Sequence, residues 1–528
     1  MVDFPQHDHS GPRQATGRTP RPRVRLTLLN TGGGAIWWLL ALATCLSVAL
    51  INGGPLFYFD TEGYLLKGTR ALTQLGLVEP GGAGGAAREG AAGAVRRFSA
   101  AGEIDGTHSI VYSLLIAGLA AFRTLELMVL VNAAVVFAAL GLMLRVVTRL
   151  YPVTVPRPLL LALPILAAAT TSLPFYVAFL MPDIFTPVLI LIAALLTAFA
   201  PRMTGWELAA ALLLGWFAAL SHLSHIPIAA LLIPAAAIGA LLVGRRRWWL
   251  APVLVASFVL VPMAERQLFE AMVATTSKAQ VTVTYKPFIT ARLIQDGPGY
   301  RMLEQHCPDP ALASCALWEA LQLSDDPYRL TATHILFAED PPLASFQTLP
   351  AETRQAIAAE QMTFFLRVLR DQPLGTMAAF LKNTLLQAKK VSVDMTLPSD
   401  AIVKRLERYN GKAMHLADFS AGRITAGDWL GRLTQLHLAI YGLSALVLIG
   451  LAVWPGRLPP ALRVLAGMVI CGVLANALVC GGISQPATRY GARAAWVLPL
   501  AATFLALIAA GLSPGTRSCP PPRKPAGT

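Results

Sequence analysis

The stretch Ser109-Ile110-Val111-Tyr112-Ser113-Leu114-Leu115-Ile116-Ala117-Gly118-Leu119-Ala120-Ala121-Phe122 decides how the chain is threaded. It is apolar throughout, yet as a helix it reaches only about 21 Å at ~1.5 Å per residue. Hydrocarbon is ~30 Å thick, so this run does not cross without thinning the bilayer. Longer apolar runs surround it: 33–52, 125–144, 158–178, 184–200, 225–243, 248–264, 435–454, 462–481 and 493–512. Each reaches the ~17-residue minimum for a transmembrane helix. The run 206–221 is slightly shorter, and Trp206 and Trp216 suit an interface.

Charge decides between the two threadings. The N-terminal tail carries Arg13, Arg18, Arg21, Arg23 and Arg25, which predicts a cytoplasmic N-terminus. If 109–122 stays on one side, the loops with Arg145, Arg149 and Arg157, then Arg202, then Arg245 to Arg247, then Arg457 and Arg463 share that face. The tail with Arg517, Arg523 and Lys524 joins them. If 109–122 crosses, every later loop changes side. The expected fold is therefore an all-α polytopic membrane protein of about ten transmembrane helices. A re-entrant or interfacial segment and a large helical outer loop complete it. No clear cleavage site follows 33–52, so that run reads as a retained helix.

Composition agrees. Of 528 residues, 55% are hydrophobic and only 14% charged, against roughly 25% charged in soluble domains. Mean hydropathy is +0.56. These values exclude an ordinary soluble enzyme, a disordered chain and a disulfide scaffold. The net charge of +14 sits between apolar runs, so it anchors the chain in a membrane and implies no nucleic acid.

Five regions follow. Residues 1–32 form a basic cytoplasmic tail, and 33–264 an N-terminal transmembrane module whose first outer loop is 53–108. Residues 265–434 form a large extracytoplasmic loop, 435–512 the C-terminal transmembrane helices and 513–528 a cytoplasmic tail. In the first outer loop, Tyr64, Gly68, Ala71 and Leu75 share a helical face suited to the headgroup layer. The Gly81–Ala87 stretch reads as a flexible loop tip, without the ending of a phosphate-binding loop. In the large loop, 352–370 and 374–391 read as amphipathic helices broken at Asp371-Gln372-Pro373. They suit the bilayer surface or a cap over the bundle. Lys382, Lys389 and Lys390 are either lipid-phosphate contacts or a solvated basic face.

In so uncharged a chain, carboxylates at membrane borders need a partner or a task. Asp60 follows the first run and Asp183 precedes Ile184. One reading makes such a carboxylate the general base that deprotonates an acceptor hydroxyl while phosphate leaves a sugar. The other makes each an N-cap, Asp60 of a helix from Thr61 and Asp183 of a span from Ile184. Glu62 points to a different face from Asp60 and is expected to be exposed, with substrate contact as the alternative. His222 and His225 share a face by spacing, as hydrogen-bonded interfacial groups or substrate contacts. No third ligand for a metal is evident beside them, so no metal site is expected. Arg489 and Arg493 are cations in an outer turn, and a guanidinium fork suits a phosphate or pyrophosphate. Cys307 and Cys315, both in the large loop, form a disulfide in an oxidising compartment or stay as buried thiols.

The order of these features resembles a known family. The chain runs from a span into Tyr58-Phe59-Asp60-Thr61-Glu62-Gly63-Tyr64, then His108-Ser109-Ile110-Val111-Tyr112 before a short apolar segment. Phe175 to Pro187 then holds a second aspartate, and Arg489-Tyr490 precedes the last span. This resembles the GT-C superfamily of integral membrane glycosyltransferases, including its bacterial dolichyl-phosphate-mannose–mannosyltransferase-like and aminoarabinose-transferase-like members. The resemblance covers roughly 33–265 and, loosely, the last spans. It implies a polyprenyl-phosphate sugar donor, a lipid or glycan acceptor, and inverting transfer at the outer face of a bacterial plasma membrane. Asp60 matches the family's base, Asp183 its second carboxylate, and His108 and Tyr490 become candidate substrate contacts. Two departures stand out: Thr107-His108-Ser109 replaces a basic-Pro-Pro pattern, and one acid stands where the family carries a pair. No cofactor is expected, and a divalent metal lacks its acidic pair.

Two other functions fit the composition. One is a transporter or lipid-carrier flippase; the other is a surface-polysaccharide polymerase or ligase. Transporters carry repeated halves and ionisable groups at mid-membrane. Here the halves are unequal and the polar residues gather at one face.

Overall fold

The computed structural model describes residues 32–74, 76–77, 103–151, 154–276, 282–404 and 422–512. The basic tails and the Gly81–Ala87 stretch lie outside them, apart from Gly32 of the N-terminal tail. The described chain is helical, with one short two-stranded sheet. In chain order the helices begin with α1 (Gly32–Cys45), α2 (Ser47–Asn52), α3 (Phe59–Gln74), α4 (Ile110–Ala121) and α5 (Leu127–Leu150). Then come α6 (Arg157–Thr170), α7 (Leu173–Ala178), α8 (Phe185–Phe199), α9 (Gly205–Ser221), α10 (His225–Val243) and α11 (Leu250–Thr276). The large loop holds α12 (Phe288–Asp296), α13 (Pro298–His306), α14 (Cys315–Leu321), α15 (Ala332–Phe337), α16 (Ala351–Asp371) and α17 (Pro373–Lys389). The chain closes with α18 (Trp429–Val453), α19 (Pro460–Val479), α20 (Thr488–Ala495) and α21 (Val497–Gly511).

Seven helical runs are long and apolar enough to cross a membrane. They are Leu127–Leu150, Pro182–Arg202, His225–Val243, Leu250–Thr275, Trp429–Val453, Pro460–Ser484 and Thr488–Gly511. The other three predicted spans have shorter pieces. In 33–52 the break at Leu46 is a kink, because Leu46 N–H still donates to Leu42 O at 2.9 Å and Leu50 N–H to Leu46 O at 2.9 Å. In 158–178 the helix stops at Thr171, which is extended, and restarts at Leu173. The third, α9, has 17 residues and opens on a capping box of Thr204 and Glu207.

All fifteen residues of α8 are buried. A helix that is apolar all round belongs at the centre of a bundle, and α8 packs there against α5, α9, α10 and α19. The helices alternate between two ends. At one end, Arg149 donates to Glu207 at 2.6 Å and to Arg202 O at 2.9 Å, while Thr154 Oγ1 donates to Gly511 O at 3.0 Å. The turns that carry Arg149 and Arg202 meet there. At the other end lie residues 53–60, 179–183, 222–225, 480–493 and the large loop. The short helix α4 belongs to that second end throughout. Ser109 Oγ, which caps it, donates to Leu220 O at 2.5 Å at the finish of α9. After α4, the chain passes directly into α5, which leads away to Arg149.

The sheet also lies at that end. Strand β1 (Glu103–Asp105) pairs in parallel with β2 (Thr282–Thr284), and Asp105 binds Lys286 beside it. The large loop has its own apolar core, drawn from α12 to α16 and including Leu293, Leu303, Leu317, Ile335 and Phe364. Cys307 and Cys315 are joined by a disulfide at its edge, their Cα atoms 5.4 Å apart. The amphipathic helices expected at 352–370 and 374–391 are α16 and α17, divided at Gln372.

Candidate functional site

Two loops from distant parts of the chain are stitched together first. Leu56 N–H donates to Ala178 O at 2.8 Å, and Leu180 N–H returns a bond to Leu56 O at 2.9 Å. Thr61 Oγ1 donates to Leu180 O at 3.1 Å. Asn132, a lone amide within apolar α5, donates to Val177 O at 3.0 Å and to Phe179 O. These bonds hold the start of α3 against the turn before α8, which brings Asp60 and Asp183 to one place.

Helix α20 supplies the cations. Arg489 Nη1 donates to Asp60 Oδ2 at 2.9 Å, and its Nε to Asp183 Oδ1 at 3.0 Å. Arg493, one turn on, donates from Nη1 to Asp183 Oδ1 at 3.2 Å. The four side chains form a string with balanced charge, as burial requires. Its backbone is fixed from beneath: Tyr176 Oη donates to Arg489 O at 2.6 Å and Ser172 Oγ to Ala492 O at 2.6 Å. Burial grades along the string. The side chains of Asp183 and Arg493 are 0% exposed, that of Arg489 is 4% and that of Asp60 is 42%. Asp60 is thus the member that meets solvent, and among the described residues only its Oδ2 is bonded. Asp183 Oδ2 is buried with no hydrogen-bond partner among the described residues, which in a buried carboxylate asks for an explanation.

The cap readings are not realised. Asp60 lies inside the first turn of α3, which starts at Phe59. The position capping α8 is Ile184, with no side-chain cap bond. Both carboxylates turn to arginine because an ion pair in an apolar setting outweighs one backbone N–H. Glu62 is buried, contrary to the exposure expected of it. Arg493 lies one layer below the surface. Its Nε donates to Asn476 Oδ1 and its Nη2 to Ser224 Oγ at 3.0 Å and to Cys480 Sγ at 3.1 Å. It positions Asp183 and, unlike Arg489, has no edge toward solvent.

The histidines separate. His225 is buried and satisfied on both nitrogens, by Thr186 Oγ1 at 2.7 Å and Ala218 O at 2.5 Å. His222 accepts from Ser224 N at 3.1 Å and borders a cleft. That cleft, whose enclosed volume is only about 30 Å³, is also lined by His108, Lys67, Glu265 and Arg266. Burial lowers the pKa of His222 well below the usual histidine value, reinforced by the charge of Arg493, so its ring is neutral at neutral pH. Burial likewise lowers His108, against the pull of Asp105 and Asp60. Lys67, whose Nζ donates to His108 O at 2.6 Å, is brought down to about 8 by burial, against Asp105 and Glu265. Asp60 and Asp183 are not among the residues lining this cleft. No three His, Cys, Asp or Glu side chains among the described residues come together as a metal site would require.

Aromatic rings complete the surroundings. Tyr58 and Tyr490 lie 4.8 Å and 5.4 Å from the Arg489 guanidinium, ring centre to carbon. Burial pushes the Tyr58 phenol up to about 12, even though Arg489 pulls it down. Tyr64 packs edge-on against His108 at 4.6 Å and Tyr112 at 4.9 Å. Sequence reasoning missed Asn132, Ser224 and Asn476 as supports of the site. For the two amides a signal was available, since an amide in an otherwise apolar span needs a partner; for Ser224 there was none. No family model, curated protein or solved structure matches this chain.

Proposed function

We propose that the protein is an inverting glycosyltransferase of the GT-C type, acting at the outer face of a membrane. The donor is a polyprenyl-phosphate-linked sugar and the acceptor a lipid or glycan hydroxyl. The carrying observation is the Asp60–Arg489–Asp183–Arg493 string, in which one carboxylate is oriented by a buried cation yet keeps an oxygen toward solvent. A general base needs that combination: fixed direction and access to the proton it takes. In this reading Asp60 removes the acceptor proton, the hydroxyl oxygen attacks the anomeric carbon, and the polyprenyl phosphate leaves with its electron pair. Arg489 supplies positive charge where phosphate charge develops. Asp183 and Arg493 hold Arg489 in place.

The membrane arrangement in this proposal has ten spans. The seven long runs are joined by α1–α2, α6–α7 and α9, which run between the same two ends of the bundle. Helix α4 stays at the outer interface, and both termini are cytoplasmic in a bacterial plasma membrane. An ionisable string at the end of the bundle, instead of half-way along it, favours surface chemistry over transport.

The test uses purified protein in lipid bilayers with a panel of polyprenyl-phosphate sugars and membrane lipid extract, products being read by mass. We expect transfer from at least one donor and its loss in Asp60→Asn, with that variant folded and inserted as before. Transfer unchanged in Asp60→Asn, or none with any donor, rejects the proposal.

A further inference from the structure

Helix α17 is built the wrong way round for a soluble protein. Its buried residues are Thr376, Asn383 and Gln387, all polar. Leu374, Met377, Leu381 and Leu385 are exposed, Leu374 at 83%. At ~3.6 residues per turn these four fall on one stripe, opposite the buried polar face. Lys382 and Lys389 border one side of the stripe, and the helix contains no acidic residue.

The polar face is fully used. Gln387 Nε2 donates to Ala487 O at 2.9 Å and Ala487 N–H donates back to Gln387 Oε1 at 2.9 Å. Asn383 Nδ2 donates to Asp296 at 2.8 Å, tying α17 to the large loop. A Cβ on Gly491 would meet Lys390 O at 1.9 Å, and one on Gly481 would meet Asn383 O at 2.6 Å. The end of α17 therefore grips both sides of Arg489, while its other face carries apolar groups and lysines, with Thr384 at its edge bonded back to Phe380 O.

We propose that α17 lies in the plane of the bilayer interface, its leucine stripe in the acyl region, and that lipid is thereby fastened to the segment that carries Arg489. Three features favour lipid as the occupant. The helix abuts the end of the apolar span α19, where a bilayer surface falls. Lysines without acids suit anionic headgroups, and their long stems reach up to them. The stripe is long and narrow, the form of an interfacial helix. The inference rests on the membrane reading alone and is independent of the transfer reaction.

The test uses the full chain in bilayers containing anionic lipid, in a Cys471→Ala background that removes the exposed native thiol. Spin labels are placed singly by Leu381→Cys and Met377→Cys, and their collision rates with oxygen and with a water-soluble nickel chelate are measured. High oxygen and low chelate accessibility is expected at both sites, with the opposite ranking for a label at Glu352→Cys on α16. High chelate accessibility at 377 and 381 would show a stripe in water and overturn the proposal. Low accessibility to both reagents would show a protein cover, from this chain or a second copy, and would overturn it equally. Neither readout depends on catalysis, so a chain that transfers no sugar leaves the result standing.

Discussion

Asp60 and Asp183 share one arginine but stand in different solvents, and their substitutions separate accordingly. Asp183 is enclosed with Arg489 and Arg493. Asp183→Asn leaves two buried guanidinium groups facing one half-exposed carboxylate. Removing one partner of a buried ion pair costs about 3–5 kcal/mol. We expect a large fall in the thermal unfolding temperature in detergent for Asp183→Asn and almost none for Asp60→Asn. Equal shifts would show that the burial gradient does not govern the string. The charged members were legible because acids and cations are scarce here. The partners of their polar supports were not. Ser224 lies 269 residues from Arg493, and Gln387 lies 100 from Ala487. Such pairings leave no periodic trace.

Among elements, the pair α3 and α4 carries Asp60 to its place. Gly68 is the point of closest approach, where an added Cβ would meet Ser113 O at 1.9 Å. A backbone oxygen cannot rotate away as a side chain can, so Gly68→Ala forces the helices apart. Overpacking of this kind costs about 1–3 kcal/mol. We expect Gly68→Ala to lower both unfolding temperature and any Asp60-dependent activity. Gly118→Ala, on α4 with open space around it, serves as the control and should match or exceed the parent in stability. Helix length was readable where apolar runs are long, as in α5 and α19. The break at Thr171 was not. It arises because the Ser172 N–H is bonded by Tyr441 Oη at 2.9 Å and Ser172 Oγ is spent on Ala492, both far along the chain.

For the whole molecule, arginine placement predicts a basic end, and the ion pairs of Arg145 and Arg149 with Glu207 tie the end of α5 to the start of α9. Reporter fusions or thiol-labelling sites at 150, 245 and 456 should appear on one side of the membrane, and those at 183 and 300 on the other. A shared side for 150 and 183 would overturn the threading. The apolar core of the large loop was less legible. Apart from Ile357, Phe364 and Val368 on α16, its residues are scattered over short helical pieces between Phe288 and Phe346, too short for a clear 3.6-residue repeat.

The enclosure of α8 also sets an order of events in biosynthesis. Its neighbour α19 and the cations for Asp183 are made long after α8 has left the ribosome, Arg493 being 310 residues later. At roughly 5–20 residues per second, the nascent helix waits on the order of 15–60 s with an unmatched acid at its tip. A chain ending before Thr488 keeps that acid unmatched permanently. Helix α20, which carries both cations, is the element that completes the match.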